Sequence, residues 1–413
     1  MEREKKSRLR SWIKKTVFLL IAVLSPFIIA NEIVWWVWLR DYFMNRLLQN
    51  DWDLIYSLQP DFHEKVPMFM SLLEPWNEKD FKSELSVNSQ GIRASKDIPL
   101  PKAENSFRII CLGDSNTFGL DVNDQYTYPA QLERLLNEQA GNANLHFEVI
   151  NAGIPGYTSR QGLVYLQKRL LQYQPDLVII GFGCNDAFNR FILGLPPDKK
   201  IIRGDIEKGW RKISPFYVLL IFLNRQPLIV GLRHIAGAMV VADLMKIDAN
   251  KRAINPNYQV PAYDKLDSAT LAKFSKSRIP PGDYLENLEQ FVSLARKNNF
   301  QLLFYIPYRV LPVYRRLDLL IARENQIPVV DFSTRLGTYR LDDLLKNPVY
   351  ADLMSDYRRL LGDDFLRQNP IYALTSDGCH PNAAANRIIS EEMSRAILGY
   401  YFRMTPSRGP SPR

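Results

Sequence analysis

Apolar residues in this chain fall into short, dense runs at 107–112, 146–150, 176–182, 300–306 and 327–332, each rich in Val, Ile and Phe. Runs of that length, without polar alternation, predict strands covered on both faces, as in a parallel sheet. Segments with helical periodicity separate them at 129–139, opened by Pro129, and at 159–172, 283–298 and 382–398. The alternation predicts an α/β fold with a doubly wound, mostly parallel five-stranded sheet. The chain has 413 residues, and its bulk exceeds what a single core holds without insertions, so one enlarged domain is expected over 87–398.

A different pattern opens the chain. Residues 1–15 carry seven Lys/Arg against Glu2 and Glu4, and Thr16 to Leu39 is then apolar except for Ser25, Pro26, Asn31 and Glu32. A helix of this length spans roughly 36 Å, enough to cross a bilayer with some tilt. The basic leader predicts a cytoplasmic amino terminus, an anchor over 16–39 ending in Trp35, Trp36 and Trp38 at the far interface, and the bulk of the chain outside the cytoplasm. A cleaved signal peptide with its core at Val17 to Ala30 is the alternative, and Ile28 fits poorly near its cut. Residues 40–86, with aromatics among charges, read as an ordered stalk packed on the domain, and 399–413 as a tail disordered at its end.

The candidate chemistry lies at the ends of the predicted strands. Gly113-Asp114-Ser115-Asn116 follows the first strand, Asn151-Ala152-Gly153 the second, Gly183-Cys184-Asn185-Asp186 the third, and Ser376-Asp377-Gly378-Cys379-His380 precedes the last helix. Loops at the carboxyl ends of parallel strands share one edge, where ligands bind. A serine oxygen needs a base to become a nucleophile, and the base needs a partner that holds its ring, so Ser115, His380 and Asp377 suit that trio. Glycine at 153 lets the backbone approach a substrate, and Asn185 offers neutral N–H donors for a developing oxyanion.

These four blocks, in this order, resemble the SGNH (GDSL-type) hydrolase family across roughly 87–398. The resemblance implies a flavodoxin-like sheet. It also implies Ser115 as nucleophile and backbone oxyanion donor, Gly153 as a second backbone donor, Asn185 as an amide donor, and Asp377 with His380 completing a triad. Asn116 departs from the Leu of the name-giving pattern. The implied activity is that of a serine esterase, with O-acyl, chiefly O-acetyl, esters of extracytoplasmic carbohydrate as the substrate class. O-acyl transfer to a polysaccharide, lipid ester hydrolysis, and a catalytically silent binding or assembly module are the alternatives.

Other readings fail on the residues. Gly181-Phe182-Gly183 lacks the third glycine of a dinucleotide loop, and Gly113 to Gly119 lacks the Lys-Ser/Thr of a phosphate loop. The four histidines are scattered, so no metal or other cofactor is expected, and neither is a nucleic-acid partner. Residues 187–277 form a largely helical insertion with 15 Lys/Arg against 7 Asp/Glu. As a basic cap it would attract an anionic polymer, although a solvated helical face explains the charges as well. Cys184 and Cys379 flank Asn185 and His380, which makes a disulfide between them an open expectation, and Cys111 reads as a buried apolar residue.

Overall fold

In a computed structural model, the described residues are 46–67, 82–140, 145–187, 274–333, 335, 339–376 and 379–403, with isolated positions between 12 and 29. The chain divides into two units, residues 1–48 with 208–260, and residues 49–207 with 261–413. Almost all described residues belong to the second. The proposed leader and most of the anchor at 16–39 lie outside the described residues, as do 188–273 of the basic insertion, the end of the tail, and Asp377. Among the described residues no helix is long and apolar enough to cross a membrane.

The strands, in chain order, are β1 (Leu48–Asp51), β2 (Ile55–Leu58), β3 (Phe62–Pro67), β4 (Lys82–Val87), β5 (Ser106–Gly113), β6 (His146–Gly153), β7 (Leu177–Gly181), β8 (Gln301–Ile306) and β9 (Val329–Asp331). The last five form one sheet in the order β6-β5-β7-β8-β9, and every pairing in it is parallel. All five predicted runs are therefore strands of one sheet. Its order reverses between β5 and β7, a topological switch point that opens a crevice at the carboxyl ends of those two strands.

Side chains that alternate along the strands build two cores. Ile109, Cys111, Phe147, Leu177, Ile179, Leu303 and Tyr305 face one cluster with helices α2 (Tyr128–Ala140) and α10 (Ala383–Tyr401). Those two helices pack together on that face. The intervening residues, such as Ile110, Leu112, Val178 and Ile180, are equally buried toward the opposite face. There α4 (Pro281–Asn298) contacts both α3 (Ser159–Tyr165) and α5 (Pro312–Glu324). Short helices α6 to α9 (Leu341–Leu345, Pro348–Leu353, Ser355–Leu361, Asp363–Gln368) lead to the last loop.

Two helix expectations are corrected. The helix expected over 159–172 is α-helical only to Tyr165, then continues as a π turn over Leu166–Leu170 and a 3₁₀ turn over Leu171–Tyr173. α5 was not predicted at all. The described parts of the expected stalk form β1 to β4 and are bonded into the domain. Tyr56 Oη donates to the Pro155 carbonyl at 2.9 Å, Tyr157 Oη to the Tyr56 carbonyl at 2.6 Å, and Gln161 Nε2 to the Leu54 carbonyl at 2.8 Å. β4 is tied to the loop before α2, where Glu84 N–H donates to Asn123 Oδ1 at 2.8 Å.

Candidate active site

Three glycines shape the edge of the sheet where the predicted residues meet. Gly113 pairs in register with Gly153 on one side and Gly181 on the other. The absence of side chains lets a one-turn helix, α1 (Ser115–Phe118), lie across the strand ends. A Cβ on Gly153 would stand 2.2 Å from the Phe118 nitrogen, and one on Gly113 would stand 2.1 Å from Thr117 Oγ1.

Both ends of α1 are held. At its start, Asp114 is the N-cap, and its Oδ1 accepts from the Asn116 N–H and from Asn116 Nδ2, each at 2.9 Å. At its end, the buried Arg93 guanidinium donates to the carbonyls of Phe118 and Gly119, each at 2.5 Å, and of Val122 at 2.7 Å. Asp124 pairs with that guanidinium at 3.0 Å. Ser115 is the half-exposed residue in a buried run from Ile109 to Val122.

His380 reaches this helix from far along the chain, its Nε2 lying 2.9 Å from Ser115 Oγ. A tight turn presents the ring. Ser376 N–H donates to the His380 carbonyl at 2.9 Å, Asn382 N–H to the Leu374 carbonyl at 3.0 Å, and Thr375 bridges Pro381. Buried Ser376 Oγ anchors the turn to Asp121 Oδ2 at 2.8 Å. Asn382, the N-cap of α10, accepts from Ala385 N–H at 3.1 Å, so the histidine turn is continuous with a long packed helix. Asp377 lies outside the described residues.

Asn185 comes from the loop after β7, and its Nδ2 donates to Asp114 Oδ2 at 3.0 Å. Next to it, Asp186 is fully buried and ties this loop to the one after β6. Its carboxylate accepts from Ser159 Oγ at 2.6 Å, Ser159 N–H at 3.0 Å and Gly183 N–H at 3.1 Å. Burial pushes the Asp186 carboxyl up to about 6 against the pull of those hydrogen bonds. Burial likewise raises the Asp114 carboxyl, while its two asparagines and the nearby His380 favour its charged form.

Gly153 does not fit the donor role expected of it. Its N–H donates to Asn151 Oδ1 at 3.1 Å, and the residue is buried against α1. Packing explains this glycine. The disulfide left open between Cys184 and Cys379 is not formed here, both being free thiols. Cys184 Sγ contacts the Tyr308 carbonyl at 3.4 Å, and burial raises its thiol well above the ordinary range. Among the described residues no cluster of His, Cys, Asp and Glu is arranged to hold a metal ion.

Serine, asparagine and histidine from separate parts of the chain thus converge at the switch point, and the model of the GDSL-like lipase/acylhydrolase family matches residues 111–388. The chain belongs to the GDSL-like lipase/acylhydrolase family. Among curated relatives it is 35% identical over 100 residues to an acetylxylan esterase of Xylanibacter ruminicola, covering 22% of this chain and 19% of that protein. It is 33% identical over 106 residues to an arylesterase of Vibrio mimicus, covering 26% of this chain and 48% of that one. It is also 36% identical over 83 residues to thioesterase 1/protease 1/lysophospholipase L1 of Escherichia coli K12, covering 20% and 36%. The chain thus spans less than half the length of each of these relatives. A solved lipase/acylhydrolase from Enterococcus faecalis superposes with a TM-score of 0.36 at 16% identity, covering 73% of this chain and all of that one.

The sequence reasoning missed Asp114, Arg93 and Asp186 as organisers of the site. Asp114 and Asp186 sat inside the quoted motifs, and their flanking of Ser115 and Asn185 was the available signal. Nothing local marks Arg93, whose partners lie 25 to 31 positions away.

Proposed function

We propose that this protein is a serine esterase in which Ser115 attacks an O-acyl ester, His380 takes its proton, and Asp377 orients the histidine. The observation that carries this reading is the 2.9 Å approach of His380 Nε2 to Ser115 Oγ across 265 positions of sequence. After attack, the imidazolium gives its proton to the leaving alkoxide, and an acyl-enzyme remains on Ser115. Water or a carbohydrate hydroxyl, deprotonated by the same ring, then releases the acyl group.

The tetrahedral oxygen needs donors that stay unspent in the resting site. Ser115 N–H, at the first position of α1, has no acceptor among the described residues. Asn185 Nδ2 spends one hydrogen on Asp114, and the other has no acceptor among the described residues. For the third donor we favour Gly156 over Gly153. Gly156 is half-exposed with φ +78°, is pinned through its carbonyl by Arg278 Nη1 at 2.8 Å, and its N–H has no acceptor among the described residues.

As substrate we propose O-acetyl groups on carbohydrate outside the cytoplasm, a reading supported by the printed activity of the Xylanibacter ruminicola relative and by the apolar segment 16–39 behind a basic leader. The basic insertion at 187–277 is proposed as a docking segment for an anionic polymer. Neutralising Arg203, Lys208, Arg211 and Lys212 is then expected to lower activity on anionic esters and leave neutral esters unchanged.

Labelling with a fluorophosphonate tests the core of the proposal. Wild-type protein is expected to be labelled and Ser115→Ala not, with ester hydrolysis falling by about a million-fold in the variant. Equal labelling of both proteins overturns the assignment. An acetyl-release screen over acetylated sugars and lipid esters distinguishes the substrate classes.

A further inference from the structure

Asp114 divides its two oxygens between two elements. Oδ1 takes both donors of Asn116 and so caps α1, while Oδ2 takes Asn185 Nδ2 at 3.0 Å. The carboxylate is fully buried and lies between the carboxyl ends of β5 and β7, where the sheet order reverses. Among the described residues nothing else joins the strand that carries the nucleophile to the amide of the β7 loop so directly. A carboxylate in this place does not need to touch the substrate to matter.

We infer that Asp114 is a positioning residue, holding one hydrogen of the Asn185 amide so that the other is fixed toward the oxygen that becomes charged on Ser115 attack. The inference rests on the esterase reading above. A primary amide rotates about its χ2 bond and can present either its oxygen or its nitrogen to a site. With the acceptor-only carboxylate behind it, only the nitrogen can face Asp114, and the orientation with the Asn185 oxygen there is excluded because two oxygens would meet. Donor geometry is thereby set before substrate arrives, the condition under which an oxyanion donor is effective.

The two jobs of Asp114 separate in Asp114→Asn. An asparagine keeps one oxygen, sufficient to cap α1, and turns its own nitrogen toward Asn185 Nδ2, so donor faces donor. The expected result is a fall in kcat of about a hundredfold with KM within about twofold, as for a donor misplaced by an ångström or less. Asn185→Ala alone is expected to lose a similar factor, and the double variant Asp114→Asn/Asn185→Ala to be no worse than Asn185→Ala. A multiplicative loss in the double variant, or a loss of thermal stability with kcat unchanged, overturns the inference.

Ser115→Ala in parallel keeps the two readings apart. Hydrolysis surviving Ser115→Ala removes the esterase assignment, whereas hydrolysis lost in Ser115→Ala and intact in Asp114→Asn removes only the positioning role. If Asp114→Asn does not fold, wild-type protein labelled with ¹⁵N at asparagine still decides the matter. Of the two protons of the side-chain amide identified by its loss in Asn185→Ala, the one held by Asp114 is expected to exchange with solvent far more slowly than those of exposed asparagines. Exchange of both protons as fast as in exposed asparagines overturns the inference.

Discussion

Substituting Gly153 with alanine separates a packing role from a chemical one. A Cβ there would lie 2.2 Å from the Phe118 nitrogen, 2.6 Å from the Thr117 carbonyl carbon and 2.7 Å from Phe118 Cα. Ordinary contact begins near 3.5 Å, so the shortfall is about 1 Å against three backbone atoms that no rotamer change can move. Either α1 lifts from the sheet or β6 bends. The helix resists, being capped by Asp114 at one end and gripped through three carbonyls by Arg93 at the other. Overpacking of this kind costs about 3 kcal/mol, which in a domain of this size lowers Tm by about 5 °C. Lifting α1 also carries Ser115 away from His380, and an ångström of displacement costs about a hundredfold in kcat. Differential scanning fluorimetry and hydrolysis of a 4-nitrophenyl acetate substrate measure the two effects on one preparation. Gly156→Ala is the control for stability alone, because its Cβ meets Tyr56 Oη at 2.7 Å, a side-chain atom and not backbone, and its positive φ costs about 1 to 2 kcal/mol. A Gly153→Ala protein as stable as wild type would refute the close approach of α1 to β6.

Other consequences are equally direct. Arg93→Lys keeps the charge but cannot reach the Phe118, Gly119 and Val122 carbonyls together. Urea denaturation is expected to show a loss of about 3 kcal/mol, as for breaking a buried charged network. Ser376→Ala leaves Asp121 Oδ2 without its 2.8 Å partner in the turn that presents His380, and is expected to lower kcat more than it alters KM, with about 1 to 3 kcal/mol lost in the same denaturation series. For Asp186, the folded-state carboxyl titrates at about 6, above its ordinary value of 3.8, so the folded form holds the proton more tightly. Its contribution to stability is therefore complete at pH values below 3.8 and is lost as pH rises through 6. Between pH 4 and 7, the stability of wild type minus that of Asp186→Asn is expected to fall by up to about 3 kcal/mol, and a flat difference would refute it.

The parallel strands were legible because each is buried on both faces, which leaves an uninterrupted apolar run such as Leu177 to Gly181. The hairpin of β3 with β4 was not, because alternate residues of β4 face water and the partner strand lies beyond residues 68–81. α5 carried its signal, with Pro312 in the first turn and Val313, Tyr314, Leu317 and Ile321 on one buried stripe, but it follows β8 so closely that the apolar run masked it. Ser115, His380 and Asn185 were recoverable from type and order, since each is a polar residue just beyond a strand or just before a helix. The proposed preference for Gly156 over Gly153 was not. Both lie in Asn151-Ala152-Gly153-Ile154-Pro155-Gly156, and only packing distinguishes the glycine pressed against α1 from the one left half-exposed. Asp114 escaped for a related reason, because an N-cap aspartate is locally explained and its second oxygen finds its use 71 residues away.

The long excursion between β7 and α4 bears on how such a site tolerates growth. Residues 188–273 leave directly after Ala187, two positions from Asn185, and a loop of that size would be expected to loosen the donor it begins from. Its two ends, however, are closed onto one another. Ile279 N–H donates to the Asp186 carbonyl at 3.1 Å, Ser277 Oγ to the Ala187 carbonyl at 3.3 Å, and Arg278 reaches Gly156 and Gln161 on the β6 side at 2.8 and 3.1 Å. The carboxylate of Asp186 meanwhile clamps Ser159, which Asn287 of α4 also holds at 2.9 Å. Once the ends are joined, the entropy of the intervening loop grows only slowly with its length. The same buried residues that join the two ends also fix the backbone on either side of the Asn185 amide, so the geometry of that donor is set by the described residues 183–187 and 277–279 and by Ser159.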